Sequence, residues 1–206
     1  IADGYLYATL LTTPGQLKRV SLADFSTMAS MTFPIQQDYP MALVVNDNDL
    51  YVGLRTSPGT ILKISLVNLS VETITLGTGG DYVMDLSIAD GYLYAGCLTS
   101  PGTVVRISLT DGSQTQLTFA TGNNRIWSVV THGGYLYAGL DVTTGKIVRV
   151  DLSDFSTMVV FTHGSGSNRV EDLVVDSTYL YAAFYRSGGL SGKLARIALA
   201  DFATVT

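Results

Sequence analysis

An all-β fold, a β-propeller of five four-stranded repeats of about 43–44 residues each, is what this sequence predicts. Three observations carry the prediction. The phrase Leu-Tyr-Ala/Val recurs at Leu6-Tyr7-Ala8, Leu50-Tyr51-Val52, Leu93-Tyr94-Ala95, Leu136-Tyr137-Ala138 and Leu180-Tyr181-Ala182, with its leucines 44, 43, 43 and 44 residues apart. Longer wording recurs as well: Ile1–Ala8 reappears unchanged as Ile88–Ala95, and Asp24–Met28 as Asp154–Met158. Each unit consists of short apolar runs separated by turn residues, without helical periodicity, which is the pattern of an array with one blade per repeat.

The second repeat shows the elements in order. Tyr39–Val45 is an apolar run, Asn46-Asp47-Asn48-Asp49 a tight polar connection, and Leu50–Leu54 apolar again, which together predict a hairpin. Thr56-Ser57-Pro58-Gly59 supplies a second turn, with proline fixing φ and glycine accepting a positive one. Thr60–Leu66 follows as a third strand and, after Val67-Asn68-Leu69, Val71–Leu76 as a fourth. With these strands labelled A to D, the third repeat reads Val83–Ile88, Leu93–Leu98, Val104–Leu109 and Thr115–Phe119. Both faces of a blade pack on neighbours, so the strands are apolar on both sides rather than alternating.

The chain has 206 residues, 47% of them apolar and 14% charged, enough to bury a substantial core and too apolar for disorder. The unbroken period predicts a single domain over 1–206, with blades near 1–35, 36–78, 79–121, 122–165 and 166–206. A net charge of −5 and a pI near 4.8, with Lys and Arg scattered singly, lack the footprint of a phosphate-backbone binder, so nucleic acid is not an expected partner. No apolar stretch reaches the ~18 residues of a membrane span, and membrane insertion is not expected. Scarce lysine with abundant Ser, Thr, Gly and Tyr tilts the expected location to the extracellular space or cell surface. The single Cys97 reads as a small buried residue.

The ends carry a further expectation. Ile1-Ala2-Asp3 matches only the tail of strand A, Ile88-Ala89-Asp90, so the first inner strand is missing, and the last repeat stops within strand D. A chain opening on Ile1 in mid-repeat is expected to be processed or a portion of a larger ring. Incomplete terminal blades also predict self-association into a homo-oligomer.

Within a unit, Tyr92-Leu93-Tyr94-Ala95-Gly96, then Ser100-Pro101-Gly102-Thr103, then Val104-Val105-Arg106-Ile107-Ser108-Leu109 resembles the YVTN and NHL type of β-propeller, whose repeats run inner strand, turn, YLYVA-like strand, Gly-containing turn and VxxIDL-like strand. The resemblance covers essentially the whole chain. It implies the fold, and adhesion modules, receptors, scaffolds and occasional enzymes share it. The absence of insertions between repeats, where such enzymes carry catalytic loops, favours a non-enzymatic protein.

In propellers the D-to-A and B-to-C loops share one face around a central channel. Aligned there are Asp38, Asp81, Asn124 and Asn168, then Tyr39, Tyr82, Arg125 and Arg169. Two positions on come Met41, Met84, Trp127 and Glu171, then Ala42, Asp85, Ser128 and Asp172. Tyr39, Tyr82, Arg125, Trp127, Arg169 and Glu171 are therefore the expected ligand-binding set, offering stacking and bidentate hydrogen bonds to a protein or carbohydrate. Asp/Asn at the first position also suits a plain turn cap. Carboxylates in apolar strands need partners. Arg125 or Arg169 would neutralise Asp85, Glu171 and Asp172; alternatively Asp85 and Asp172 are metal candidates, with Ca²⁺ the cation of choice and no other cofactor expected. A metal-dependent, lactonase-like hydrolase at that channel is the alternative to a recognition scaffold, and a self-assembling structural protein the second alternative. His132 and His163 read as solvent-facing turn residues, and Asn68-Leu69-Ser70 as a turn that matches a glycosylation sequon.

Overall fold

The computed structural model describes residues 1–25, 28–34, 36–164, 168–186 and 191–203. Among them every regular element is a strand, and the strands form five antiparallel sheets in chain order. The first sheet holds β1 (Tyr5–Leu10), β2 (Gln16–Ser21) and β3 (Met28–Thr32); the second β4 (Pro40–Asn46), β5 (Asp49–Leu54), β6 (Thr60–Ser65) and β7 (Val71–Thr75). The third holds β8 (Val83–Ala89), β9 (Tyr92–Cys97), β10 (Thr103–Ser108) and β11 (Gln114–Thr118); the fourth β12 (Ile126–His132), β13 (Tyr135–Leu140), β14 (Lys146–Asp151) and β15 (Met158–Thr162). The fifth holds β16 (Val170–Val175), β17 (Tyr179–Phe184) and β18 (Lys193–Ala198). As the sequence predicts, the first sheet lacks an inner strand, and Ala2 makes only an isolated bridge to Tyr5. The strand D expected at the end of the fifth repeat falls on 204–206, outside the described residues.

Each sheet is a meander whose turns are written in the sequence. Asp90-Gly91 between β8 and β9 has φ of 51° and 78°, the pair of positive values that a type I′ hairpin requires, and Asp3-Gly4 repeats it at 48° and 78°. The C-to-D turns share one geometry: Phe25, Leu69, Gly112, Phe155 and Phe202 all have positive φ, and each donates its N–H to the carbonyl four residues back. Asp154 holds its turn by accepting the N–H groups of Ser156 and Thr157, and with the Thr157 hydroxyl these bonds bring its pKa down to about 2. Asn68 caps its own turn by accepting the Ser70 N–H at 3.0 Å, the ordinary turn role.

The chain divides into two compact units, Ile1–Leu86 and Ser87–Thr206, each with its own core. In the first, Tyr7 and Leu17 of one sheet pack with Leu50, Val52, Leu62 and Ile64 of the next. In the second, Tyr94 and Val104 pack with Ile126, Val129, Leu136 and Val150, and Tyr137 and Ile147 pack with Val170, Leu173, Leu180 and Ile197. Strands B and C of the second, third and fourth sheets are buried on both faces: Ile61 and Leu62 are neighbours pointing to opposite sides, and both are fully buried. At roughly 1.5–3 kcal/mol per buried aliphatic side chain, these seams dominate the stability of each unit. Cys97 is buried and unbridged.

Two details recur at the seams. In β5, β9 and β13 strand B carries glycine where the next strand A crosses it, whereas β1 carries Thr9 at that position. A Cβ on Gly139 would stand 2.6 Å from Val170 Cγ1, one on Gly96 2.7 Å from Ile126 Cγ2, and one on Gly53 2.5 Å from Val83 Cγ1. The second detail is an arginine clamp. Arg106 lies between the rings of Tyr92 (4.9 Å) and Phe155 (4.4 Å), and Arg149 between Tyr135 (4.7 Å) and Phe202 (4.9 Å), so the C-to-D turn of one sheet caps the arginine of the sheet before it. Burial raises the phenols of Tyr94 and Tyr137, with the adjacent arginines acting against it. Between the third and fourth sheets a polar tie adds register, with Ser87 Oγ 2.8 Å from Thr131 Oγ1 and accepting the Thr131 N–H.

The glycine seam makes a quantitative prediction. Gly139→Ala should destabilise the protein by about 1–3 kcal/mol in denaturant unfolding, the cost of overpacking a filled interior. Combining it with Val170→Ala should give a double variant less destabilised than the two single effects added together. Simple additivity would show that the close approach is not what excludes a side chain there.

Candidate functional site

The loop face is built by repeated backbone bonds. Gly59 N–H donates to Gly80 O and Gly102 N–H to Asn123 O, both at 2.9 Å, so a B-to-C loop is bonded to the D-to-A loop that follows it. At the start of strand A, Tyr82 N–H donates to Thr56 O and Arg125 N–H to Thr99 O. Tyr39, Tyr82 and Arg125 sit there with φ of 53°, 55° and 54°, a left-handed backbone that non-glycine residues adopt at a cost, and it turns their side chains outward. Tyr39 and Tyr82 are accordingly exposed, at 47% and 41%.

Strand A then bulges. Register shifts fall between Pro40 and Ala42, Ile126 and Ser128, and Val170 and Asp172, which makes Met41, Trp127 and Glu171 the extra residues. A bulge re-aims a side chain relative to its neighbours. In the second unit it brings four groups together. Arg169 lies 3.9 Å over the Trp127 ring and 5.1 Å from the Tyr185 ring, and its Nε donates to Glu171 Oε1 at 2.9 Å, with Nη2 on the same oxygen. The guanidinium is three-quarters shielded and Tyr185 is 47% exposed, so an aromatic-cationic platform stands on the loop face. Beside it in the same unit is a cleft of about 360 Å³ lined by Ser100, Asn124, Arg125, Asp141 and Thr143. Arg125 Nη1 stands 3.6 Å from Asp141 Oδ2, leaving most of its guanidinium in water.

The expected set is thus divided. Trp127, Arg169 and Glu171 form one cluster, Arg125 belongs to the cleft, and Tyr39 and Tyr82 stand in the first unit. Sequence reasoning missed the partner position just past strand B, where Arg55, Asp141 and Tyr185 donate their N–H groups to the carbonyls of Tyr39, Arg125 and Arg169. Aligning the residue after each Leu-Tyr-x-x-x strand would have shown it.

The acidic residues take local partners. Asp85 Oδ1 accepts the Leu86 N–H at 2.8 Å and Asp172 Oδ1 the Leu173 N–H at 2.9 Å, while Arg169 takes Glu171 and Arg125 takes Asp141. Asp81 accepts the Ser57 hydroxyl at 2.9 Å as a loop cap. Among the described residues no three His, Cys, Asp or Glu side chains are grouped to share a metal ion. The histidines correct the sequence reading: His132 ends β12, and His163 is half-buried with its ring 4.5 Å from Phe184. Burial, then Lys193, lowers the His163 pKa.

The paired sheets and their loop face define a β-propeller-type repeat protein. The chain belongs to the DUF6923 family, described as a repeat of unknown function, whose model matches residues 1–133. No curated protein matches the chain. Among solved structures, the Neurospora crassa Pan2 WD40 domain superposes with a TM-score of 0.76 at 10% identity over 99% of this chain and 61% of its own. U3-55K does so at 0.75, with 12% identity over 98% and 59%, and the Kuenenia stuttgartiensis hydrazine synthase at 0.73, with 15% identity over 95% and 63%. Such identities establish a shared fold alone, and the chain spans about three fifths of the length of these structures. Among the described residues no helix is long and apolar enough to cross a membrane.

Trp127 is the sole tryptophan, so the platform carries its own reporter. Arg169→Ala should shift its emission to the red as water replaces the guanidinium, whereas Arg196→Ala, which removes a stack on Tyr179 instead, should leave it in place. An unmoved spectrum in Arg169→Ala would contradict the stacked geometry.

Proposed function

We propose that this chain is a non-enzymatic recognition scaffold that binds a carbohydrate or protein partner on its loop face, in an extracellular or cell-surface setting. The observation that carries the reading is the stacked Trp127–Arg169–Tyr185 platform beside the Asn124–Arg125–Asp141 cleft. Aromatic faces match the apolar faces of sugar rings or peptide side chains. Arg125, Asn124 and Asp141 add donors and acceptors for hydroxyl or amide groups at the rim. The rigid sheets beneath hold these groups in place before a ligand arrives, which lowers the ordering cost of binding. The acidic, sparsely charged composition supports the proposed setting.

Screening soluble oligosaccharides and peptides by Trp127 fluorescence should find ligands that perturb its emission. By calorimetry, Arg125→Ala and Trp127→Ala should each weaken a ligand so found by about tenfold or more, the loss of one well-placed contact. A ligand whose affinity survives both substitutions binds elsewhere, and the loop-face assignment then fails.

A further inference from the structure

Two loops of this chain carry the same four residues and spend their hydroxyls differently. Thr56-Ser57-Pro58-Gly59 in the first unit and Thr99-Ser100-Pro101-Gly102 in the second each join strand B to strand C, and the same pair of backbone bonds ties each to the D-to-A loop that follows it. In the first unit Thr56 Oγ1 donates to Pro58 O at 2.9 Å and Ser57 Oγ to Asp81 Oδ1 at 2.9 Å, so both hydroxyls are used by the loops themselves. Thr12, at the same place in the first repeat, likewise donates to Pro14 O at 2.8 Å. In the second unit Thr99 Oγ1 is buried and has no hydrogen-bond partner among the described residues. Asn124 stands in the place of Asp81, and the Ser100 hydroxyl beside it is likewise without a partner there, as are the Asn124 amide and the Thr143 hydroxyl.

Ser100, Asn124 and Thr143 line one cleft, the space of about 360 Å³ that also holds Arg125 and Asp141, and Thr99 adjoins it by accepting the Arg125 N–H. A buried hydroxyl without a partner is costly, and uncommitted polar groups on a concave surface are open to a ligand in place of water. The Arg125–Asp141 separation of 3.6 Å exceeds the roughly 2.7–3.2 Å of an N–H···O bond, so the guanidinium keeps its donors and the carboxylate its lone pairs. Their charges cancel, and the lining favours neither an anion nor a cation. The walls are held in place: Asn123 O accepts the Gly102 N–H, Asn123 Oδ1 accepts Lys146 Nζ at 3.1 Å, and Arg125 O accepts the Asp141 N–H at 2.8 Å.

We infer that this cleft takes a neutral carbohydrate, with two neighbouring hydroxyls of one sugar ring bridging Arg125 and Asp141. A hydroxyl both donates and accepts, so one accepts from Arg125 while the next donates to Asp141. Ser100, Asn124 and Thr143 offer the same mixed partners to the hydroxyls that remain. Protein partners anchor through large apolar or aromatic side chains seated in dry pockets, and Val142 is the one aliphatic side chain on this lining. Its volume lies at the small end of the roughly 300–1,000 Å³ of ligand sites, which suits a short oligosaccharide. In the first unit the equivalent hydroxyls are already bonded to Pro58 O and Asp81, so that loop offers no such set. The inference rests on the loop-face reading proposed above and narrows it to one ligand class at one cleft.

The test is calorimetric titration of the 206-residue chain with neutral cello-, malto-, manno- and galacto-oligosaccharides, with the acidic oligogalacturonate, and with a library of short peptides. At least one neutral sugar should bind, and more tightly than oligogalacturonate. Ser100→Ala and Asn124→Asp should each weaken it by about tenfold, the second because an aspartate there engages the Ser100 hydroxyl as Asp81 engages Ser57. Ser57→Ala, in the matching loop of the first unit, should leave the affinity unchanged. Thr143→Ala, at an exposed position, provides a further lesion should circular dichroism show that Asn124→Asp alters the fold. Tighter binding of oligogalacturonate, a neutral sugar indifferent to these cleft substitutions, or an equal loss in Ser57→Ala would each overturn the inference. A peptide that binds and is lost in Arg125→Ala, with no sugar bound, would overturn it and leave the recognition reading standing. No ligand of any class sensitive to Arg125→Ala or Trp127→Ala would overturn both.

Discussion

The close crossing of β8 over β5, β12 over β9 and β16 over β13 is the constraint on which the rest of this structure depends. Val83, Ile126 and Val170 press so near Gly53, Gly96 and Gly139 that no Cβ fits, and this approach lets both faces of strands B and C empty of water. Once the sheets lie that close, the long side chains of strand C have nowhere to go except along the seam. Arg106 and Arg149 accordingly lie between aromatic rings, which offer a cation an attractive surface within a dry interior.

The same crossing generates the loop face. Strand A has to clear the residue after strand B before it can pair, and it does so with a left-handed residue followed by a bulge. The left-handed residue turns outward and the bulge residue rotates out of the seam, so the two positions least needed for packing become those most available for binding. In the second unit Arg125 holds the left-handed position and Trp127 and Glu171 the bulges, and Arg169 joins the two bulge residues by stacking on Trp127 and pairing with Glu171. The side chains at these positions vary over a repeated backbone device.

The repeat length, the four-strand order and the missing first inner strand could all be read from the sequence, because period, turn residues and apolar runs are local signals. Strand limits moved by only a residue or so, as with Leu93–Leu98 against Tyr92–Cys97. The candidate site was legible only as aligned columns. Which columns meet depends on the bulge, which has no residue signature: Met41, Trp127 and Glu171 share a backbone geometry and no chemistry. Tyr185 escaped notice because its partner Arg169 lies a whole strand pair away in sequence. The clamp on Arg106 was hidden for a similar reason, since its cap Phe155 comes from the following repeat.

Amide hydrogen exchange followed by mass spectrometry tests most directly the claim that sheet-on-sheet seams hold this protein together. The outer strands β3, β7, β11 and β15 are largely exposed, whereas β9 and β13 are buried on both faces. Exchange should be slowest in β9 and β13 and fastest in those outer strands, with local opening free energies ordered accordingly. Protection in β11 and β15 equal to that in β9 and β13 would contradict it, because stability would then reside in hydrogen bonding within each sheet and not in the seams between them.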